Sequence, residues 1–230
     1  MTRTRLAIDT GPDALDLLRQ RIVSCERCPR LRAYCREVAR VKKAAYRDQE
    51  YWGRPVPGLG DPQARILILG LAPAAHGGNR TGRVFTGDGA GGSGDFLMGA
   101  LHRAGYANIP TSTSPDDGLK LRDVYIAAAV RCAPPDNKPT PQEIATCLGY
   151  VEEEVQLLPR LQVVVALGGI AWNAWLQILE RHGARQRPKP AFGHGARMRF
   201  DWQDARTTRT PGTPGTSSTP RTSCTPGTSS

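Results

Sequence analysis

Arg65-Ile-Leu-Ile-Leu-Gly70 runs directly into Leu71-Ala-Pro-Ala-Ala-His-Gly-Gly-Asn-Arg80. A short apolar run closed by glycine reads as a buried strand. The glycine-rich loop that follows, Leu71 to Gly94, stands where open parallel sheets bind ligands, at the carboxyl end of a strand. Small residues let the backbone approach a flat ligand closely, although such a loop taken alone is equally a plain surface connection. It contains no G-x-x-x-x-G-K-[ST], which excludes the usual nucleoside-triphosphate loop.

Outward from this stretch the pattern repeats. Asp123 to Val130 and Gln162 to Leu167 read as two further buried strands, and Gly168-Gly169 turns into a helix over Ile170 to Arg181. Phe96 to Tyr106 reads as a helix with Phe96, Leu97, Ala100 and Leu101 on one face. Gln142 to Leu158 reads as an amphipathic helix carrying the acidic patch Glu152 to Glu154. Asp13 to Val23 and Leu31 to Arg47 add helical segments, whereas Tyr51 to Pro62 and Pro134 to Pro141 are proline-punctuated loops. Strands alternating with helices predict an α/β chain, a three-layer α/β/α sandwich around a short parallel sheet.

The 230 residues, 39% of them hydrophobic, suit one domain, placed over 13–204 between a loose start (1–12) and a tail (205–230). No apolar run is long enough to span a membrane, and Met1 to Thr10 lacks the apolar core of a signal peptide, so a cytoplasmic, nucleoid-associated location is expected. The net charge of +10 favours polyanionic partners, though it equally describes a well-solvated surface. Ala205 to Ser230 is almost wholly Thr, Ser, Pro, Gly and Arg, and is expected to be disordered because it has little apolar surface to bury.

Six cysteines without a secretion signal point to metal ligation rather than disulfides. Cys25 and Cys28 form a C-x2-C pair, Cys132 follows the second strand, and Cys147 lies in the next helix. Four thiolates suit tetrahedral zinc or an iron–sulfur cluster. The widely split second pair is better tolerated by the larger centre. Cys35 is a spare that could replace Cys28, and Cys224 sits in the tail.

Several stretches together resemble the type-5 uracil-DNA glycosylases, the iron–sulfur branch of the uracil-DNA glycosylase superfamily. They are Cys25-Glu-Arg-Cys28, Gly70-Leu-Ala-Pro-Ala-Ala-His-Gly77, Asn79-Arg-Thr-Gly82, Phe85-Thr-Gly-Asp88 and Arg131-Cys-Ala-Pro-Pro-Asp-Asn-Lys-Pro-Thr-Pro141. Ala166-Leu-Gly-Gly169 and Phe192-Gly-His-Gly195 complete the set. The resemblance covers roughly residues 13–200 and implies a parallel sheet between helices. It also implies a monomer acting on uracil-containing DNA, and a [4Fe–4S] cluster on Cys25, Cys28, Cys132 and Cys147.

The resemblance further implies that a flipped base stacks on Phe85, with Gly70, Leu71, Ala72, Pro73 and Ala74 lining its pocket and His76 a further pocket residue. Asp88 would steer water or stabilise the sugar cation, and Asn137 would hydrogen-bond base or water. Arg80, Arg83 and Lys138 would meet phosphates. Each has a plainer role available: core packing for Phe85, a loop cap for Asp88, solvated charge for the cations. A non-catalytic iron–sulfur DNA-binding module, an inactive truncated glycosylase and a zinc-binding nucleic-acid protein are the competing readings.

The chain departs from the family at its end. The family adds a further strand and a histidine- and serine-bearing motif over the flipped base. Here no histidine follows His194, and the Thr/Ser/Pro/Gly segment stands in that place. The break in composition near Asp201 is read as a shift of reading frame, and the last strand of the sheet is expected to be missing.

Overall fold

The computed structural model describes residues 12–87, 91–185 and 187–200. The expected loose start, the tail and the break after Asp201 therefore lie outside the described residues, as do Asp88 and Cys224.

Two helices open the chain, α1 (Pro12–Val23) and α2 (Pro29–Val41), the second beginning with proline at its first turn, where a missing N–H costs nothing. The helix expected to run to Arg47 stops at Val41, because Lys42 turns into the left-handed region (φ 59°); a single 3-10 turn follows over Ala44–Tyr46. Next come β1 (Leu59–Gly60), β2 (Ile66–Gly70), the short α3 (Gly78–Thr81) and α4 (Ser93–Arg103). After these stand β3 (Val124–Ala128), α5 (Pro141–Leu157), β4 (Val163–Ala166) and α6 (Gly169–Arg181). A capping box starts α5: the Thr140 hydroxyl accepts from Glu143 N at 3.2 Å, and the Glu143 carboxylate accepts from Thr140 N at 2.7 Å.

The sheet runs β1-β3-β2-β4. β2 pairs in parallel with β3 (Ile68 opposite Ile126) and with β4 (Ile68 opposite Val165), as expected of crossover connections. β1, inside the segment expected to be a loop, adds antiparallel to β3, so the sheet is mixed rather than purely parallel. Its two residues carry no strand pattern of their own; only the free edge of β3 makes them a strand.

Both faces are covered. Leu67, Leu69, Tyr125 and Ala127 pack with Leu15, Leu148, Val151, Trp175 and Ile178 of α1, α5 and α6. On the other face Ile68, Val124 and Ile126 meet Met98 and Leu101 of α4. Three layers result, as the strand–helix alternation predicts. α4 differs from expectation in its buried face: Met98 and Leu101 are buried, whereas Phe96 is 78% exposed.

β4 is a buried strand in sequence but not in space. Val163 and Val165 are 49% and 39% exposed, because among the described residues no strand lies beyond β4. Residues 192–200 run beside it without joining the ladder, enclosing a groove of about 990 Å³, while Met198 and Phe200 pack against the core. Such an open, apolar edge is a template for unwanted pairing.

Candidate active site

A cavity of about 370 Å³ opens at the carboxyl ends of β2 and β3. Ala72, Pro73 and Ala74 form one wall and Val84, Phe85, Thr86 and Gly87 the opposite one. Gly91, Gly92 and Ser93 close the lip and Ala128 the floor. The ladder continues past both strands, with Ala129 N donating to Gly70 O (2.9 Å) and Val130 N to Leu71 O (3.0 Å), so the wall is anchored to the sheet. No lining side chain among the described residues is ionisable; the polar groups are the Thr86 and Ser93 hydroxyls and backbone. Such a wall suits a flat, neutral ring.

Phe85 holds a left-handed backbone conformation (φ 54°), unusual for a bulky residue and worth about 1–3 kcal/mol of strain. Two glycines hold it there. A Cβ on Gly70 would stand 2.7 Å from Phe85 Cζ and 2.9 Å from Cε2, so that edge of the ring abuts the strand end. A Cβ on Gly94 would run into the Phe85 carbonyl and come within 3.0 Å of Gly87 N, so the first turn of α4 touches this wall backbone to backbone.

Of the expected base-binding residues, Ala72, Pro73, Ala74 and Phe85 line the cavity. Gly70 and Leu71 do not: Gly70 stands behind the Phe85 ring, and the Leu71 carbonyl is committed to Val130. His76 is outside the wall as well, its Nδ1 held 3.0 Å from the Tyr51 hydroxyl. Asn137 sits on an exposed 3-10 turn (Pro135–Asn137) with φ 56° and is not among the lining residues, and Lys138 beside it is exposed. Asp88 is outside the described residues.

The expected phosphate contacts divide. Arg83 is a correction: its guanidinium is buried, paired with Asp117 at 2.7 Å and bonded to Pro115 O at 2.8 Å, which turns it into the protein. Arg80 works as a clamp. Its Nε donates to His76 O (2.7 Å), Nη1 to Gln49 Oε1 (2.7 Å) and Nη2 to Gly87 O (3.3 Å), and its Cζ stacks 4.1 Å above Tyr46. Among the described residues these partners are all neutral. Tyr46, Gln49 and Tyr51 had no signal in the sequence as parts of the site, since they reach it only through the fold. Gly91 to Ser93 were legible as loop, not as lip.

The four expected cysteine ligands converge in one apolar pocket. Cys25 and Cys28 lie in the turn between α1 and α2, Cys132 lies past β3, and Cys147 is on α5; Leu18, Ile22, Leu31 and Val130 surround them. Burial, then Cys132, Glu143 and Cys25 as neighbours, push the Cys28 thiol up. Burial pushes Cys147 up to about 12, against the pull of Arg131, whose backbone N–H donates to its Sγ at 3.3 Å. A hydrogen bond shared with Cys35, and burial, push Cys132 up. Cys35 is fully buried, its Sγ 3.5 Å from Ala133 O. Among the described residues no three His, Cys, Asp or Glu side chains are set to grip a single metal ion.

Residues 57–216 match the family model of the uracil-DNA glycosylase superfamily. The chain belongs to that superfamily. It is similar, within it, to type-5 uracil-DNA glycosylases. That of Mycobacterium tuberculosis (strain CDC 1551 / Oshkosh) is 52% identical over 186 residues, 80% of this chain and 67% of the relative. That of Thermus thermophilus is 53% identical over 177 residues, 77% of each chain. That of Pyrobaculum aerophilum is 49% identical over 175 residues, 76% of this chain and 72% of the relative. Among the described residues of this glycosylase-family chain, no helix is long and apolar enough to cross a membrane.

The family chain ties its 112–119 loop to the cavity wall through Arg83 and Asp117, and this tie is pH-dependent. Burial opposes ionisation of Asp117. The Arg83 bond and the N–H groups of Thr113, Leu119 and Ser114 outweigh it and hold the carboxyl well below its usual range. A carboxyl depressed on folding contributes stability above its unfolded pKa of about 4 and loses it as pH falls towards the folded value. Urea midpoints measured from pH 6 down to pH 3 should therefore fall below about pH 4, and Asp117→Asn should flatten part of that fall.

Proposed function

We propose that this chain excises uracil from DNA, hydrolysing the N-glycosidic bond and leaving an abasic site. The observation that carries the reading is the cavity at the ends of β2 and β3, walled by Ala72 to Ala74 and Phe85, with hydroxyl and backbone groups but no ionisable side chain among its described lining. A base inside a duplex is out of reach, so it must be extruded, at a cost of a few kcal/mol that is least for a mismatch such as U·G. The extruded ring stacks on Phe85 between two backbone walls. The wall supplies shape and stacking; the charge for the sugar cation and the aim of the attacking water come from Asp88. Asn137 is the second polar group, bonding base or water from the turn after Cys132. Arg80 and Lys138 meet phosphates, Arg80 while holding the Gly87 carbonyl. The enzyme acts as a monomer in the cytoplasm, with its folded domain over 13–204.

We further propose that Cys25, Cys28, Cys132 and Cys147 hold a [4Fe–4S] cluster. An all-thiol donor set in an apolar pocket, with its second pair widely split along the chain, supports this reading. When bound, the cluster supplies four metal–thiolate bonds that pin the α1–α2 turn and the segment after β3 to α5. Cys132→Ser and Cys147→Ser should each lose the brown colour and most of the iron, measured by visible absorption and metal analysis. Cys35→Ser should keep both. A colourless wild-type protein that binds zinc would overturn this assignment.

The function is tested by incubating the full chain with a duplex carrying one U·G pair, followed by alkaline cleavage at abasic sites. Uracil-dependent cleavage, abolished in Asp88→Asn, is the expected result. The edge of β4, open among the described residues, is the observation that favours the second reading, an inactive glycosylase that still carries a cluster. A coloured protein that binds the duplex but cleaves nothing would favour it.

A further inference from the structure

Phe96 is the most exposed of the large apolar side chains described, at 78%, and nothing in the core or cavity lining uses it. Its position is specific. It lies one turn into α4, and its backbone N–H donates to Gly92 O at 3.1 Å. At about 100° per residue it falls within about 60° of Ser93 and Gly92 around the helix, and about 160° from buried Met98. Ser93 and Gly92 form the cavity lip. Helical side chains lean towards the N-terminus of their helix, so the Phe96 ring leans over that lip.

The same face continues in a way that suits a polyanion. Gly99 and Ala100 follow, both small, and Arg103 lies about two turns further on, about 20° from Phe96 by the same count. Arg103 is exposed. An apolar ring beside the cavity lining and a cation beyond it, its Nη1 reaching back to within 3.4 Å of where a Gly99 Cβ would stand, match a base and the phosphate of its strand. An aromatic face exposed to water gains by covering a base that has lost its own neighbour, and this gain is tolerant of sequence.

We propose that Phe96 is a stacking wedge. When the target nucleotide leaves the duplex, the Phe96 ring packs on the base next to the gap, while Arg103 takes a phosphate of the same strand. This deepens the uracil-excision reading and rests on it: Phe85 receives the base that leaves, and Phe96 replaces it in the stack left behind. The wedge offsets unstacking, so it matters most where flipping is hardest. A paired U·A site needs it most, a U·G mismatch less, and single-stranded DNA hardly at all.

The test is single-turnover uracil release by the full chain and by Phe96→Ala, on U·A duplex, U·G duplex and single strand. Phe96→Ala should keep the wild-type melting temperature. It should lose about tenfold in rate on U·A, the size of one base–aromatic stack, less on U·G, and nothing measurable on the single strand. Phe96→Trp should restore the U·A rate. Equal rates for wild type and Phe96→Ala on all three substrates, or an equal loss on all three, overturn the proposal. If the wild-type chain releases no uracil, the excision reading fails by itself. The wedge is then read from equilibrium binding to a duplex containing one abasic site, where about tenfold weaker binding by Phe96→Ala supports it and unchanged binding overturns it.

Discussion

Glu154→Gln should cost the folded protein about 3–5 kcal/mol, the usual penalty for stripping the partner from a buried ion pair. Arg131 and Glu154 are both fully buried and paired, and Tyr125 donates its hydroxyl to Glu154 Oε1 at 3.2 Å. Arg131 Nε and Nη1 have no partner among the described residues, so Glu154 carries the whole compensation for that charge. For a chain of this length each kcal/mol is worth about 2–4 °C, so the melting temperature should fall by roughly 10 °C. The double variant Arg131→Met/Glu154→Leu should recover much of the loss, because it removes the charge together with its partner. A loss in Glu154→Gln below about 1 kcal/mol would show the pair to be solvated. The site has a stake in this pair: Arg131 precedes Cys132, and its backbone N–H binds the Cys147 sulfur. Loosening the pair should therefore also speed loss of the proposed cluster, read as bleaching of the visible band.

Gly94→Ala should cut uracil release from a U·G duplex by about a hundredfold, the scale of a 1 Å misplacement at a reacting centre. The added methyl meets backbone on the opposite wall, the Phe85 carbonyl and Gly87 N, not a side chain that can swing aside. Either α4 moves outward and the lip opens, or Phe85 leaves its left-handed conformation and its ring tilts away from Gly70. Each outcome changes the cavity with only about 1–3 kcal/mol of overpacking in the fold. The expected signature is a large fall in kcat with a small change in melting temperature. A wild-type kcat in Gly94→Ala would show that the Phe85 wall does not position the base.

The apolar runs of β2, β3 and β4 and the glycine-rich loop between β2 and α4 were legible because burial and turn-making each leave a mark on adjacent residues. The clamp by Arg80 was not. Its partners Gln49, His76 and Gly87 are scattered along the chain, and a guanidinium that bonds neutral oxygens reads in sequence like any solvated arginine. Arg83 shows the same blindness in reverse: it looked like a free cation, and Asp117, thirty-four residues away, buries it. The exposed ring of Phe96 was misread because an apolar residue at helical spacing is counted as core by default, and only packing reveals which side of α4 meets the sheet.

By itself the sequence determined the strand–helix alternation, the four spaced cysteines and the family, since these are written in local periodicity and in short motifs. Only the tertiary structure decided that β1 is a strand and that Gly70, Leu71 and His76 are not among the residues lining the cavity. The physical reason is common to all of these. Exposure, pairing and the direction of a side chain are properties of what lies across the gap, and the neighbour across the gap comes from a distant part of the chain.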